Sequence, residues 1–128
     1  MENCIFCKII SGQLPSYKVY EDDNFLGFLD IYPRAKGDTL LIPKTHYRWV
    51  YDVPEFSDYW QAALKISKAM QKTLNPSFIN YFTFGLDIFH AHIHITPRKN
   101  EKQVVPPIIT IPPEEMKKIA EIIRKELL

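Results

Sequence analysis

The chain has 128 residues and a formal net charge of +1, and 46% of its residues are hydrophobic. This length suits one domain with a buried core, and this composition excludes a disordered chain. The near balance of 16 basic and 15 acidic residues argues against non-specific binding to nucleic acid or to a membrane surface. We expect neither partner, and any anionic substrate needs a local site.

The N-terminus and the cysteine content favour a cytoplasmic protein. No apolar run approaches the roughly 20 residues that cross a bilayer. Residues 1–7 lack the basic region and the long apolar core of a secretory signal. In a reducing compartment the only two cysteines, Cys4 and Cys7, are expected to stay thiols, and their spacing suits a metal ion or a redox pair.

The first thirty residues predict a short helix and a β-hairpin. Apolar residues at helical spacing in residues 4–10 predict the helix, and the dipeptide Ser11-Gly12 ends it. Residues 17–20 and residues 24–29 are typical of two strands, with an acidic turn at residues 21–23 between them.

A buried strand and a long helix follow. Residues 39–43 form a continuous apolar run that predicts the strand. The helical period begins at Ser57, the predicted N-cap, and Asn75-Pro76 stops the helix because a residue before proline avoids the α region. The predicted buried stripe consists of Trp60, Ala63, Leu64, Ser67, Met70 and Leu74.

The next segment predicts a hairpin that ends in a row of histidines. A strand at residues 78–84 is expected to connect through a tight turn at residues 85–87 to the stretch 89–98. Successive side chains of a strand point to opposite faces, so three histidines share one face. Because imidazole titrates near neutrality, the row indicates a functional site. The histidines are His90, His92 and His94, and the apolar residues expected in a core are Phe89, Ala91, Ile93 and Ile95.

The C-terminal part predicts a proline-rich extended segment at residues 104–113 and a final amphipathic helix, with Glu114 and Glu115 in its first turn. Because the strands come in runs, the fold class is α+β. We expect an antiparallel sheet of about five strands, a long helix after the third strand and a helix at each end. Residues 1–128 are expected to form one domain, with residues 103–128 as an appendage. The apolar stripe of the last helix consists of Met116, Ile119, Ala120, Ile123 and Leu127.

The two cysteines can form a metal site with histidines. Two thiolates neutralise Zn²⁺, and His46 with one histidine of the row completes a tetrahedron, so we expect a structural zinc. Geometry alone does not choose between His90 and His94 as the fourth ligand. The alternative is that Cys4 and Cys7 are small buried apolar residues.

Together these segments resemble the histidine triad (HIT) family of nucleotidyl hydrolases and transferases, in its zinc-binding branch. Residues 90–96 match the motif His-φ-His-φ-His-φ-φ except for a polar last position. Residues 28–33 with Gly37 resemble the ribose-binding segment. Residues 41–46 resemble the Ile-Pro-Lys-x-His segment, and residues 4–10 resemble the N-terminal helix of the zinc-binding branch.

The resemblance implies a role for each candidate residue. His92 is expected to attack the α-phosphorus, His94 to bind phosphoryl oxygens and His90 to be the fourth metal ligand. Asp30 is expected to accept hydrogen bonds from both ribose hydroxyls, although it is also interpretable as a turn residue before Pro33. The residues expected to sandwich a base are Ile5, Phe6, Ile9 and Phe28.

The expected reaction is hydrolysis or transfer through a covalent nucleotidyl-histidine on His92. The resemblance implies a purine nucleotide-type substrate, such as a nucleoside phosphoester, a phosphoramidate or a dinucleoside polyphosphate. It also implies a homodimer that forms through the sheet and the long helix.

Three features depart from the family pattern. Leu86 stands where a glutamine commonly bonds the phosphate or the leaving group, and Asp87 places a carboxylate near the expected phosphate. The longer Asn- and Gly-rich loop before this segment is largely missing. Asp38 stands where many members have a histidine that supports the site.

Two alternatives follow. The departures favour a zinc-stabilised nucleotide-binding or adaptor module with little catalysis. A catalytic zinc hydrolase that uses all three histidines of the row as ligands is the other alternative.

Overall fold

The structure, a computed structural model, describes residues 3–99 and 108–126. Its elements are α1 (Ile5–Ile10), β1 (Lys18–Glu21), β2 (Phe25–Leu29), β3 (Thr39–Pro43), α2 (Phe56–Leu74), β4 (Phe78–Phe82), β5 (Ile93–Arg98) and α3 (Pro113–Glu126). The strands form one antiparallel sheet in the order β1-β2-β3-β5-β4. This arrangement confirms the predicted α+β class, with the long helix after the third strand.

The sheet has two apolar faces because side chains alternate along its central strands. Phe25 and Leu41 pack with α2 on one face, whereas Leu26 and Ile42 pack with Phe6 of α1 on the other. All five residues of β3 are buried, as its continuous apolar run predicts. The sheet therefore lies between two cores, and α1 is held against one face.

Helix α2 differs from its prediction in its start and in its buried face. Its N-cap is Glu55 instead of Ser57, and Asn75 ends it in the left-handed conformation with φ 48°. Apolar residues cover a wide arc of the helix, and the stacking of Tyr59 on Phe25 decides which part of that arc meets the sheet. The buried residues are Tyr59, Ala62, Ala63, Ile66, Ser67 and Met70, whereas Trp60, Leu64 and Leu74 keep exposed surface.

The connection between β4 and β5 is longer than predicted. The two strands pair as expected, but residues 83–92 lie between them, so the tight-turn prediction was wrong. His90 and His92 precede β5 instead of lying within it. Phe89 is 60% exposed and does not enter the core, because its ring packs over the guanidinium of Arg48.

Helix α3 begins at Pro113 with Glu114 and Glu115 in its first turn, as predicted. No residue of α3 is buried, so the described part of its apolar stripe is exposed. Leu127 and most of the proline-rich segment lie outside the described residues. Among the described residues, no helix combines the length and the apolar composition that crossing a bilayer requires.

Candidate active site and metal site

The histidine row begins just before β5, on the sheet face that α1 covers. His90 and His92 are both buried, and both contact the ring of Phe6 edge to face, at centroid distances of 5.7 and 5.3 Å. His94 lies within β5 and is paired with Leu40 of β3. The predicted alternation is confirmed for the apolar residues in the α2 core, which are Ala91, Ile93 and Ile95.

Cys4, Cys7, His46 and His90 form what we term the Cys2His2 group, and their ligand atoms all lie within 4.8 Å of one another. His90 Nδ1 is 3.3 Å from Cys4 Sγ, 3.6 Å from Cys7 Sγ and 3.1 Å from His46 Nδ1. Bonds of about 2.0 Å to nitrogen and 2.3 Å to sulfur place tetrahedral zinc ligands about 3.3–3.8 Å apart. The Cys2His2 group therefore fits a zinc ion, and it includes His90 and not His94.

Local structure orients these ligands. Cys4 caps α1, and its Sγ accepts the amide of Cys7 at 3.3 Å, so both sulfurs lie at the start of the helix. The Nε2–H of His90 donates to the carbonyl of Pro43 at 2.8 Å, which leaves the lone pair of Nδ1 towards the sulfurs.

The pKa values of these ligands follow from burial. Burial lowers the pKa of His90 to about 4, so this imidazole is neutral near pH 7. Burial and the neighbouring Cys4 raise the pKa of Cys7 to about 11. A bound cation reverses this effect, because it deprotonates a coordinating thiol.

His92 has the tautomer that a nucleophile needs. Its Nδ1–H donates to the carbonyl of His90 at 2.8 Å, so Nε2 is the nitrogen with the lone pair. Its own carbonyl accepts the hydroxyl of Thr83 at 2.7 Å, which anchors the backbone. Burial lowers the pKa of His92 below its ordinary value and so favours the neutral imidazole.

The described residues do not gather the three histidines of the row around one ion.

His94 and Asp30 face each other at the other end of the row. His94 Nδ1 lies 3.8 Å from Asp30 Oδ2, which is too long for a hydrogen bond. This Nδ1 is buried and has no hydrogen-bond partner among the described residues. Burial lowers the pKa of His94, so the pair is not an ion pair near neutral pH. Asp30 Oδ1 accepts the amide of Tyr32 at 2.9 Å, so the aspartate also has the turn role considered above.

The four residues expected to contact a base are not equally accessible. Phe6 and Phe28 are only 2% and 3% exposed, and their rings meet edge to face at 5.6 Å. Ile5 is about half exposed, and Ile9 packs partly against the same core. Their contact with a base stays a prediction.

Asp38 and Thr96, two of the positions that depart from the family pattern, contact each other. The carboxylate of Asp38 is buried and accepts the hydroxyl of Thr96 at 2.8 Å and the amide of Arg34 at 3.0 Å. A buried carboxylate needs such donors. The polar last position of the motif therefore satisfies Asp38.

Leu86 and Asp87 lie on the exposed connection before the row. Asp87 and Phe89 help to line a cavity of about 570 Å³ beside Cys4 and His46.

Sequence reasoning did not identify Arg48, whose guanidinium stacks between Trp49 and Phe89. The contact joins residues about 40 positions apart, so no local pattern reveals it.

Comparisons with known proteins agree with the fold and with the motif. The HIT domain family matches residues 11–101, a range that contains Asp30, His46 and the histidine row. The "Protein hit" of Bacillus subtilis is 48% identical over 107 residues, which cover 76% of this chain and 72% of the relative. Adenosine 5′-monophosphoramidase hnt1 of Schizosaccharomyces pombe is 35% identical over 133 residues, covering 98% of each chain.

Solved structures share the fold over nearly the whole chain. A HIT family member from Bacillus subtilis superposes with a TM-score of 0.88 at 39% identity, covering 98% of each chain. A zinc-bound histidine triad family protein from Mycobacterium smegmatis has a TM-score of 0.72 at 33% identity, covering 98% of this chain and 96% of its own. With the motif, the sheet order and these similarities established, the chain belongs to the HIT family.

Proposed function

We propose that the protein is a nucleotide hydrolase or transferase that acts at the α-phosphate of a nucleoside phosphoester, a phosphoramidate or a dinucleoside polyphosphate. The observation that carries this proposal is the 2.8 Å hydrogen bond between His92 Nδ1 and the carbonyl of His90. It leaves Nε2 free to attack phosphorus. Family membership supports the assignment, as does a relative named as a phosphoramidase.

The reaction proceeds in two displacements. His92 Nε2 forms a bond to the α-phosphorus while the bond to the leaving group breaks, and its electron pair departs with that group. Water then attacks the phosphorus, and the electron pair of the N–P bond returns to Nε2. The water proton passes to solvent or to the departed group. In transfer, another hydroxyl replaces water.

Neighbouring residues supply binding. The buried Nδ1 of His94 has no hydrogen-bond partner among the described residues, so when it carries the proton it can donate to a phosphoryl oxygen. Asp30 Oδ2 is the carboxylate oxygen not used by Tyr32, and it can accept a ribose hydroxyl. A purine base is proposed to lie near Ile5 and Ile9, above the buried rings of Phe6 and Phe28.

The Cys2His2 group is proposed to hold a structural zinc. When bound, the ion supplies a rigid tetrahedral anchor between α1, residue 46 and the histidine row. His90 connects the metal site to the proposed nucleophile, because its carbonyl orients His92 while its ring faces the sulfurs. Cysteines that hold a metal must stay reduced, which accords with the proposed location in the reducing cytoplasm. We further propose one HIT-like domain over residues 1–128, to which residues 103–128 are an appendage.

The experiment that tests the function is incubation of the protein with adenosine 5′-phosphoramidate, with release of AMP followed by chromatography. We expect turnover by the zinc-loaded protein. Leu86 and Asp87 favour the alternative of a nucleotide-binding module, since neither side chain offers a donor to a phosphate. Calorimetric binding of AMP without turnover of any phosphoramidate or dinucleotide would establish that alternative.

A homodimer through β4 and α2 is also proposed. The strand β4 is an edge of the sheet, and its exposed Phe78 and Tyr81 line a groove of about 240 Å³ together with Leu64 of α2. Exposed apolar residues on a strand whose outer edge is free favour pairing with a second copy.

This interface predicts that Leu64→Asp weakens dimerisation at least tenfold, because the change buries an unpaired charge. Sedimentation velocity over a concentration series measures the effect. Val19→Asp on the opposite edge strand is the matched control and should leave the dimer intact. A monomeric wild type, or equal effects of both changes, would contradict the interface.

A further inference from the structure

Arg48 is held between two aromatic rings. Its Cζ lies 3.7 Å above the ring of Trp49 and 4.1 Å from the ring centroid of Phe89. Arginine stacks on aromatic faces through its planar guanidinium, and the stack leaves the N–H groups at the edge of the plane available to other partners. We term these three residues the Arg48 clamp.

One nitrogen of the clamp lacks a partner. Nη1 of Arg48 is buried from solvent and makes no hydrogen bond within the described part of the chain. A buried donor on a charged group is costly to leave unsatisfied. Such a donor is typical of a site that a ligand completes.

The clamp lies alongside the histidine row. The carbonyl of Tyr47 accepts the amide of Ala91 at 2.7 Å, which joins the residue before Arg48 to the residue between His90 and His92. In addition, a Cβ on Gly85 would lie 3.5 Å from Arg48 Nη1. The backbone just before Leu86 therefore passes close to the unpartnered nitrogen.

The Gly85 backbone is fitted to the clamp. Its φ of +77° disfavours any side chain, and an added Cβ would come within 2.9 Å of the Trp49 ring. The absence of a side chain thus lets the connection pack against the clamp.

Charge supports the same location. The guanidinium of Arg48 is positively charged, and Asp87 lies two residues after Gly85 on the same connection. Arg48 and Asp87 make no ion pair with each other among the described residues. The guanidinium of Arg48 can therefore pair with an anionic group that lies beside the histidine row.

We propose that the Arg48 clamp is a second anion subsite, which binds an anionic leaving group such as phosphate or sulfate while His92 displaces it. This inference rests on the proposed function and deepens it. The bond from Nε2 to the α-phosphorus forms, the bond from phosphorus to the bridging oxygen breaks, and the oxyanion leaves with the electron pair. Arg48 stabilises that oxyanion with a charge-assisted hydrogen bond, a role that the side chain of Leu86 cannot fill.

Two substrates with the same adenylyl group separate this role from a structural one. Adenosine 5′-phosphosulfate releases an anion, whereas adenosine 5′-phosphoramidate releases an amine. Arg48→Gln is expected to lower kcat/KM for the phosphosulfate about 10- to 100-fold, and to change kcat/KM for the phosphoramidate less than threefold. A fraction of misfolded protein lowers both values equally, so the ratio reports the leaving group alone.

Matched variants sharpen the comparison. Arg48→Lys keeps the charge but loses the planar stack, and its ratio is expected to be intermediate. Lys65→Met removes a cation on the exposed side of α2 and should not change the ratio. Equal losses with both substrates in Arg48→Gln would overturn the inference.

Binding tests the subsite without turnover. ADP carries one more phosphoryl group than AMP, so we expect the wild-type protein to bind ADP more tightly than AMP. In calorimetry, the ratio of the two affinities should fall at least tenfold in Arg48→Gln. If wild type hydrolyses neither substrate, the proposed function fails, while this ADP-to-AMP ratio still decides the inference. An unchanged ratio in Arg48→Gln would contradict it.

Discussion

His92→Gln is expected to lower turnover of adenosine 5′-phosphoramidate by about four orders of magnitude, because the amide cannot form the bond to phosphorus. The side chain retains a similar size, so the core around Phe6 should persist. Initial rates of AMP release measure the effect, with zinc content and thermal midpoint as checks on folding.

His94→Gln is the matched control for this prediction. If His94 donates to a phosphoryl oxygen, its replacement costs about 10²–10³ in kcat, which is less than loss of the nucleophile. The covalent nucleotidyl-enzyme should still form in this variant. Equal rates for wild type and His92→Gln would remove the proposed mechanism.

Loss of a sulfur ligand is expected to have the largest effect on stability. Cys7→Ser removes one of two thiolates from the Cys2His2 group, and its Sγ lies 3.4 Å from His46 Nδ1 and 3.6 Å from His90 Nδ1. Binding free energy of a structural metal contributes to folding free energy, so the variant should lose about 3 kcal/mol or more in the free energy of unfolding.

Two measurements check this prediction. Elemental analysis should give one zinc per wild-type chain and none for Cys7→Ser. A chelator should lower the thermal midpoint of wild type but not that of the variant, which serves as its own metal-free control. Retention of stoichiometric zinc in Cys7→Ser would instead favour the catalytic site made of the three histidines of the row.

The histidine row and the sheet were predictable because they depend on short periods. Alternation of period two correctly placed Ala91, Ile93 and Ile95 in the core, although Phe89, which has the same parity, is exposed. The buried strand β3 follows equally from its apolar run. The choice of the fourth metal ligand needed information beyond the alternation, because alternation does not distinguish His90 from His94. The resemblance to the family made that choice, and the structure brings His90 to the sulfurs.

Other features depend on contacts that no local pattern contains. The buried face of α2 is set by Tyr59 on Phe25, residues from separate elements. Phe89, for example, is exposed and packs its ring over the guanidinium of Arg48, a residue 41 positions away. Similarly, the polar Thr96 is explained only when Asp38 is seen to accept its hydroxyl.

The covalent step on His92 is tested most directly by intact-protein mass after mixing with adenosine 5′-phosphoramidate. The sample is quenched in alkaline denaturant, since an N–P bond is labile in acid. We expect a mass increase of one adenylyl group, which peptide fragmentation locates on His92 and which is absent in His92→Gln. AMP release by wild type with no adduct at any time point, or an adduct on another residue, would contradict the account.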